Sequence, residues 1–185
     1  MQQAIYGLVL FVFLILPPVA NLLESVMTIH MHMQMPLLVI AGMMMAPYVQ
    51  QRFPGFFKKW NSNGIPGILL VIIIWSYWML PRAMDDALTM QTVEIFKFIS
   101  LPFLVGIPLR ESWKKIGTFA QHFVYIYFVI SSIIMGWIYI ASESQLCNNY
   151  LIIEQKTLGW AFITVAACVL IYYVQILFIK ESDYE

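Results

Sequence analysis

Trp160-Ala-Phe-Ile-Thr-Val-Ala-Ala-Cys-Val-Leu-Ile-Tyr-Tyr-Val-Gln-Ile-Leu-Phe-Ile179 contains no charged side chain. A helix of about 20 such residues, rising about 1.5 Å each, matches the roughly 30 Å hydrocarbon core of a bilayer. The apolar residues are continuous rather than alternating, so a helix is predicted and a barrel strand is not. Five further runs read the same way: about Ala4 to Leu23, Ser25 to Val49, Ile65 to Leu80, Thr92 to Leu109 and Ile116 to Ala141. The first is interrupted near its end by Pro17-Pro18. It has neither a basic leader nor a small-residue cleavage site and reads as a retained helix. The expected fold is therefore an all-α membrane protein, a bundle of about six transmembrane helices forming a single polytopic domain over residues 1–185.

Composition supports this. Of the 185 residues, 61% are hydrophobic and 11% charged, where a soluble domain carries about a quarter charged residues. Ten basic and ten acidic residues give a net charge of zero, which excludes nucleic acid as a partner on electrostatic grounds. Cys147 and Cys168 form no disulfide or metal framework. Gly-rich phosphate loops, Cys-x-x-Cys, His-Glu-x-x-His and a nucleophile elbow are all missing from the sequence, so no hydrolase or transferase reading survives.

Charge in the connections predicts orientation. Arg52, Lys58 and Lys59 follow the second run, Arg110, Lys114 and Lys115 follow the fourth, and Lys180 follows the last. The alternate connections hold only Arg82 and Lys156. By the positive-inside rule both termini and the basic loops face the cytoplasm. The Glu24 turn, the Arg82–Gln91 loop and the Glu143–Gly159 loop then share the outer side. Phe53 to Pro66, with Phe56, Phe57 and Trp60 beside Lys58 and Lys59, suits a segment lying among lipid headgroups.

The segment Glu24-Ser-Val-Met-Thr-Ile-His-Met-His-Met-Gln-Met-Pro36 carries the most chemistry. Met27, His30, Met31 and Gln34 share one helical face at spacings of three and four, with Met33 and Met35 outside it. His30 and His32 stand about 200° apart on a regular helix, so their convergence depends on how Pro36 distorts the turn. Imidazole and thioether donors suit copper, thioethers favouring Cu(I). Packing by Met and interhelical hydrogen bonding by His are the plainer alternatives. Asp85 and Asp86 offer hard oxygen donors at the same depth, or else cap a helix N-terminus. Glu94 and Lys97, three apart on one face, either neutralise each other or aim Glu94 at the same outer pocket. His122 lies near the cytoplasmic end of the fifth run, roughly 10–20 Å from His30 in depth, so the two cannot hold one haem between them. A haem is accordingly not expected.

Ile29-His-Met-His-Met-Gln-Met-Pro-Leu-Leu-Val-Ile-Ala-Gly42 resembles the His-Met-rich helix of CtaG-like proteins, bacterial multi-span membrane proteins linked to copper-site assembly in cytochrome c oxidase. Leu80-Pro81, then Asp85-Asp86-Ala87-Leu88 and a helix ending near Gly106 and Trp113, is similar to that family's second conserved stretch. The resemblance covers about Glu24 to Trp113. It implies copper-related roles for His30, His32, Asp85 and Asp86, and a bacterial or archaeal cytoplasmic membrane. The chain has fewer helices than that family, and Gln91 and Glu94 stand where the family has a His pair.

Three functional expectations follow. The first is a copper-binding accessory or assembly protein, or a metal-bearing subunit of a membrane metalloenzyme, with no catalytic activity on its own. Its outer-rim site would draw on Met27, His30, Met31, His32, Asp85, Asp86 and Glu94. The second is a metal-free structural subunit of a larger membrane complex, such as a respiratory oxidase or a copper monooxygenase. The third is a small proton-coupled transporter or quinone-reactive protein using Glu94, Lys97 and His30. Lipids and other membrane subunits are the expected partners.

Overall fold

The structure, a computed structural model, describes residues 2–182, with side chains through Phe178. The side chain of Lys180 and the chain ends at Met1 and 183–185, on which the cytoplasmic placement of the termini partly relies, lie outside the described residues. The described residues are mostly helical and contain no strand. The helices are α1 (Gln2–Ile15), α2 (Pro17–Glu24), α3 (Met27–Arg52), α4 (Pro54–Trp60), α5 (Ile65–Met79), α6 (Pro81–Thr89), α7 (Gln91–Trp113), α8 (Thr118–Ala141) and α9 (Ile152–Ser182). Four of them, α3, α7, α8 and α9, are each long and apolar enough to cross a membrane. The bent pairs α1–α2 (71°) and α4–α5 (86°) raise the number to six if each is one span.

Prolines set the breaks. Leu16 and Leu80 are extended, as residues before proline prefer, and Pro17 and Pro81 open the next helix, where a missing N–H costs nothing. Pro36 and Pro108 act differently. Over His30–Gln34 and Ser100–Gly106 the helix widens to π-helical bonding, with Met35 N–H donating to the His30 carbonyl and Ile107 N–H to that of Pro102. Each widened turn ends two residues before its proline. Widening relieves the clash of the proline ring with the carbonyl four residues earlier, and the helix continues.

The chain forms two compact units, residues 1–117 with 147–150, and residues 118–146 with 151–185. In the first, α3 and α7 run parallel and cross in close contact. A Cβ on Gly42 would lie 2.0 Å from the Pro102 carbonyl oxygen, and one on Gly106 would lie 2.3 Å from that of Val39. Small residues let membrane helices approach this closely. Trp78 of α5 is buried and donates from Nε1 to Ser100 Oγ on α7 at 2.9 Å. At the basic end, Asn61 donates to Glu111 and to Ser112 Oγ (2.8 Å) and accepts from the Gly67 amide (2.9 Å), while Lys115 donates to Glu111 and to the Asn61 carbonyl (2.8 Å).

The second unit pairs α8 with α9. Gly136 and Gly159 sit face to face, and Tyr139 stacks on Phe162 with centroids 5.9 Å apart. The last helix begins at Ile152 rather than Trp160. Its polar first turns are held because buried Gln155 accepts from the Leu146 amide and donates to the Tyr139 and Ser144 carbonyls. His122 packs against Tyr173, centroids 5.5 Å apart. Only 11% of the apolar stretch of α9 is buried, against 56% for α3.

Enlarging either crossing glycine forces backbone against backbone. Gly42→Val or Gly106→Val is expected to cost about 1–3 kcal/mol or more, seen as a lower melting temperature in detergent. Gly55→Ala, in open space, should leave that temperature unchanged.

Candidate functional site

The site lies at the end of the α3–α7 pair away from Arg52. Glu24 closes α2, His30 and Gln34 sit in the widened turn of α3, and Lys97 comes from α7. Tyr150 comes from the 147–150 segment. His30, Gln34 and Lys97 are fully buried, and the Glu24 side chain is 9% exposed. Lys97 Nζ donates to Glu24 Oε1 at 2.5 Å and sits 3.3 Å from His30 Nε2. Gln34 Nε2 donates to the same Glu24 oxygen at 3.0 Å. The Tyr150 hydroxyl donates to the Glu24 carbonyl at 2.6 Å and lies 3.0 Å from His30 Nδ1.

These contacts assign the tautomer of His30. The Tyr150 proton is committed to the Glu24 carbonyl, so Nδ1 must carry the hydrogen that it donates to the hydroxyl. Nε2 then holds a lone pair facing the Lys97 ammonium. The ammonium also lies 4.6 Å from the centroid of the Phe98 ring, a cation–π arrangement. Gln34 Oε1 is buried and has no hydrogen-bond partner among the described residues.

The other residues singled out from the sequence fall around this group. Met27, His30, Met31 and Gln34, read from the sequence as one helical face, are all buried. Met35, expected outside it, is 3% exposed, while Met33 is 50% exposed. The extra residue in the π-helical turn brings Met35 round to the face of His30. His32, two residues on, is half-buried where His30 is fully buried. Glu94, also half-buried, stands one turn before Lys97, whose charge is held by Glu24 instead.

Asp85 reaches the group only through the chain. It lies inside α6, where its carboxylate accepts from Asn148 Nδ2 (3.0 Å), the Asn149 amide (3.1 Å) and Asn149 Nδ2 (2.7 Å). It thereby anchors the residues just before Tyr150. Buried Cys147, which is in no disulfide, donates to the Pro81 carbonyl at 3.4 Å in the same segment. Asp86 pairs with exposed Arg82 at 3.9 Å, a contact of small energetic value. Among the described residues no three His, Cys, Asp or Glu side chains are grouped to hold a metal ion.

Sequence reasoning named His30 and Lys97 but missed Glu24 and Tyr150 as their partners. Glu24 carried a usable signal, as an acid at the junction of two apolar runs. Tyr150 carried none, being 120 residues from His30.

Removing one partner of a buried ion pair leaves a charge without compensation. Lys97→Met should destabilise the protein by about 3–5 kcal/mol, and Glu24→Gln/Lys97→Met should recover part of that loss in thermal melts. The Asp85 anchor is pH-dependent. Partial burial pushes its carboxyl up, but hydrogen bonds from Asn148 and Asn149 outweigh this and hold it below its ordinary value. A depressed folded value means that the stabilisation is complete at neutral pH and is lost as pH falls through the acidic carboxylate range. Hydrogen exchange at the Asn149 amide should therefore show protection near neutrality, reduced in acid. Asp85→Ala should reduce it at every pH. No family model, curated protein or solved structure matches this chain.

Proposed function

We propose that the chain is a proton-handling membrane protein whose working group is Glu24, Lys97, His30 and Tyr150. A small proton-coupled transporter or a quinone-reactive protein is the class meant. The observation that carries this reading is a fully buried lysine in contact with both a carboxylate and the lone-pair nitrogen of an imidazole. Ionisable groups inside a membrane span are costly and are, by default, functional. A proton moved from Lys97 Nζ to His30 Nε2 leaves a neutral amine and an imidazolium, and its return restores the starting pair. Glu24, with its side chain at the edge of the buried group, is the point of exchange with the surface. Gln34 Oε1 offers an acceptor to a water or a hydroxyl entering there.

Reconstitution into vesicles holding a pH-sensitive dye, with an imposed potassium diffusion potential, tests this. Wild type should pass protons above the protein-free background, and Glu24→Gln and His30→Phe should each lower the rate by about two orders of magnitude. A wild-type rate equal to background, or one unaffected by both substitutions, overturns the reading.

A second reading, the copper-binding accessory or assembly protein, is favoured by Met27 and Met31, buried on the helical face of His30. Their thioethers with imidazole suit Cu(I), and the CtaG-like resemblance of residues 29–42 points the same way. Metal on His30 Nε2 requires withdrawal of Lys97. The Glu24→Gln/Lys97→Met variant should then hold more copper per chain than wild type by metal mass spectrometry, and the added substitution His30→Ala should remove it. If none of these proteins holds copper and wild type passes no protons, the metal-free structural subunit remains, consistent with the little-buried apolar surface of α9.

A further inference from the structure

At the opposite end of the first unit, α3, α4 and α7 enclose two adjoining hollows. One, of about 440 Å³, is surrounded by Arg110, Lys114, Lys115 and Gln50, with Glu111 as its one acidic residue. The other, of about 400 Å³, is apolar, walled by Phe53, Phe56, Trp60, Phe103 and Leu104. Phe57 lines both, so the two share a wall.

The charges in the first hollow do not cancel. Glu111 pairs with Lys115, which leaves Arg110 and Lys114. Arg110 directs Nη1 to the Met43 carbonyl at 2.9 Å and Nη2 to the Gln3 side chain at 3.2 Å. A guanidinium has five N–H donors, so three remain to meet an anion. Lys114 is exposed at the mouth.

The short helix α4 turns 86° from α5. If α5 crosses the bilayer, α4 lies nearly in the membrane plane, with Phe53 and Phe56 exposed at 57% and 62%. Lys58 and Lys59 on α4 are exposed as well. A cationic hollow at that level, opening beside an aromatic groove, matches a molecule with an anionic head joined to a hydrocarbon chain. Basic pockets between membrane helices bind anionic headgroups in this way.

We propose that the two hollows together bind one anionic phospholipid, its phosphate between Arg110 and Lys114 and an acyl chain along Phe53, Phe103 and Leu104. The site is independent of the proton-handling group at the other end of the helices. It gives the basic end of the fold a specific lipid partner.

The test uses the full chain in mild detergent with equal amounts of phosphatidylglycerol and phosphatidylcholine of identical chains, read by native mass spectrometry. Phosphatidylglycerol should be retained roughly tenfold more than phosphatidylcholine. Lys114→Gln, at an exposed position, should cut that preference severalfold without changing the melting temperature in lipid-free detergent, and Leu104→Trp should lower retention of both lipids by filling the groove. Equal retention of the two lipids by wild type overturns the proposal. So does a preference unchanged in both Lys114→Gln and Arg110→Gln. Competition by inorganic phosphate as effective as that by the lipid would show a chainless anion site, and would overturn it too.

Discussion

The approach of α3 and α7 at Gly42 and Gly106 is the constraint on which the first unit depends. Backbone atoms of one helix occupy the space that a side chain on the other would need. Because the helices run parallel, residues at corresponding heights meet on either side of the crossing. His30 meets Lys97 toward one end, and Arg110 meets the Met43 carbonyl toward the other. Parallel neighbours also require the chain to return between them, which is the path taken through α4 and α5. A wider crossing would separate the imidazole from the ammonium and leave the Nε2 lone pair without a partner in a low-dielectric interior, while Lys97 kept only Glu24.

Burial of Lys97 is affordable only because Glu24, His30, Gln34 and the Phe98 ring converge on it and on its carboxylate. Coulombic attraction to Glu24 offsets desolvation, Gln34 supplies a further donor to that carboxylate, and the Phe98 ring faces the ammonium. Tyr150 completes the arrangement by fixing which nitrogen of His30 bears the proton. Asp85 then acts at a distance, holding Asn148 and Asn149 so that Tyr150 stays in place. A residue read from the sequence as a possible ligand thus has a mechanical part in the fold.

The two prolines that follow widened turns connect local covalent geometry to the site. Pro36 and Pro108 would ordinarily kink or end a helix. Here the i→i+5 bonding absorbs them and rotates the residues before them. Met35 therefore joins the buried face that an ideal helix would deny it.

Much of this architecture was legible from the chain alone. Membrane-spanning helices follow from hydrophobicity summed over about 20 neighbouring residues, a property that needs no knowledge of what packs where. The buried stripe of Met27, His30, Met31 and Gln34 follows from helical periodicity, which is equally local. The Glu24 turn, the Arg82–Gln91 loop and the Glu143–Gly159 loop were expected on one side, but nothing in the sequence pointed to a meeting of Glu24, Asp85 and Tyr150. What the sequence could not supply was the choice of partner. Lys97 selects Glu24, 73 residues away, over Glu94 on its own helix, and Tyr150 selects His30 from 120 residues away. Those pairings depend on the angle and closeness of the α3–α7 crossing and on the twist added by two π-helical turns. Spacing along a chain encodes which side chains share a face, but only tertiary packing decides what that face meets.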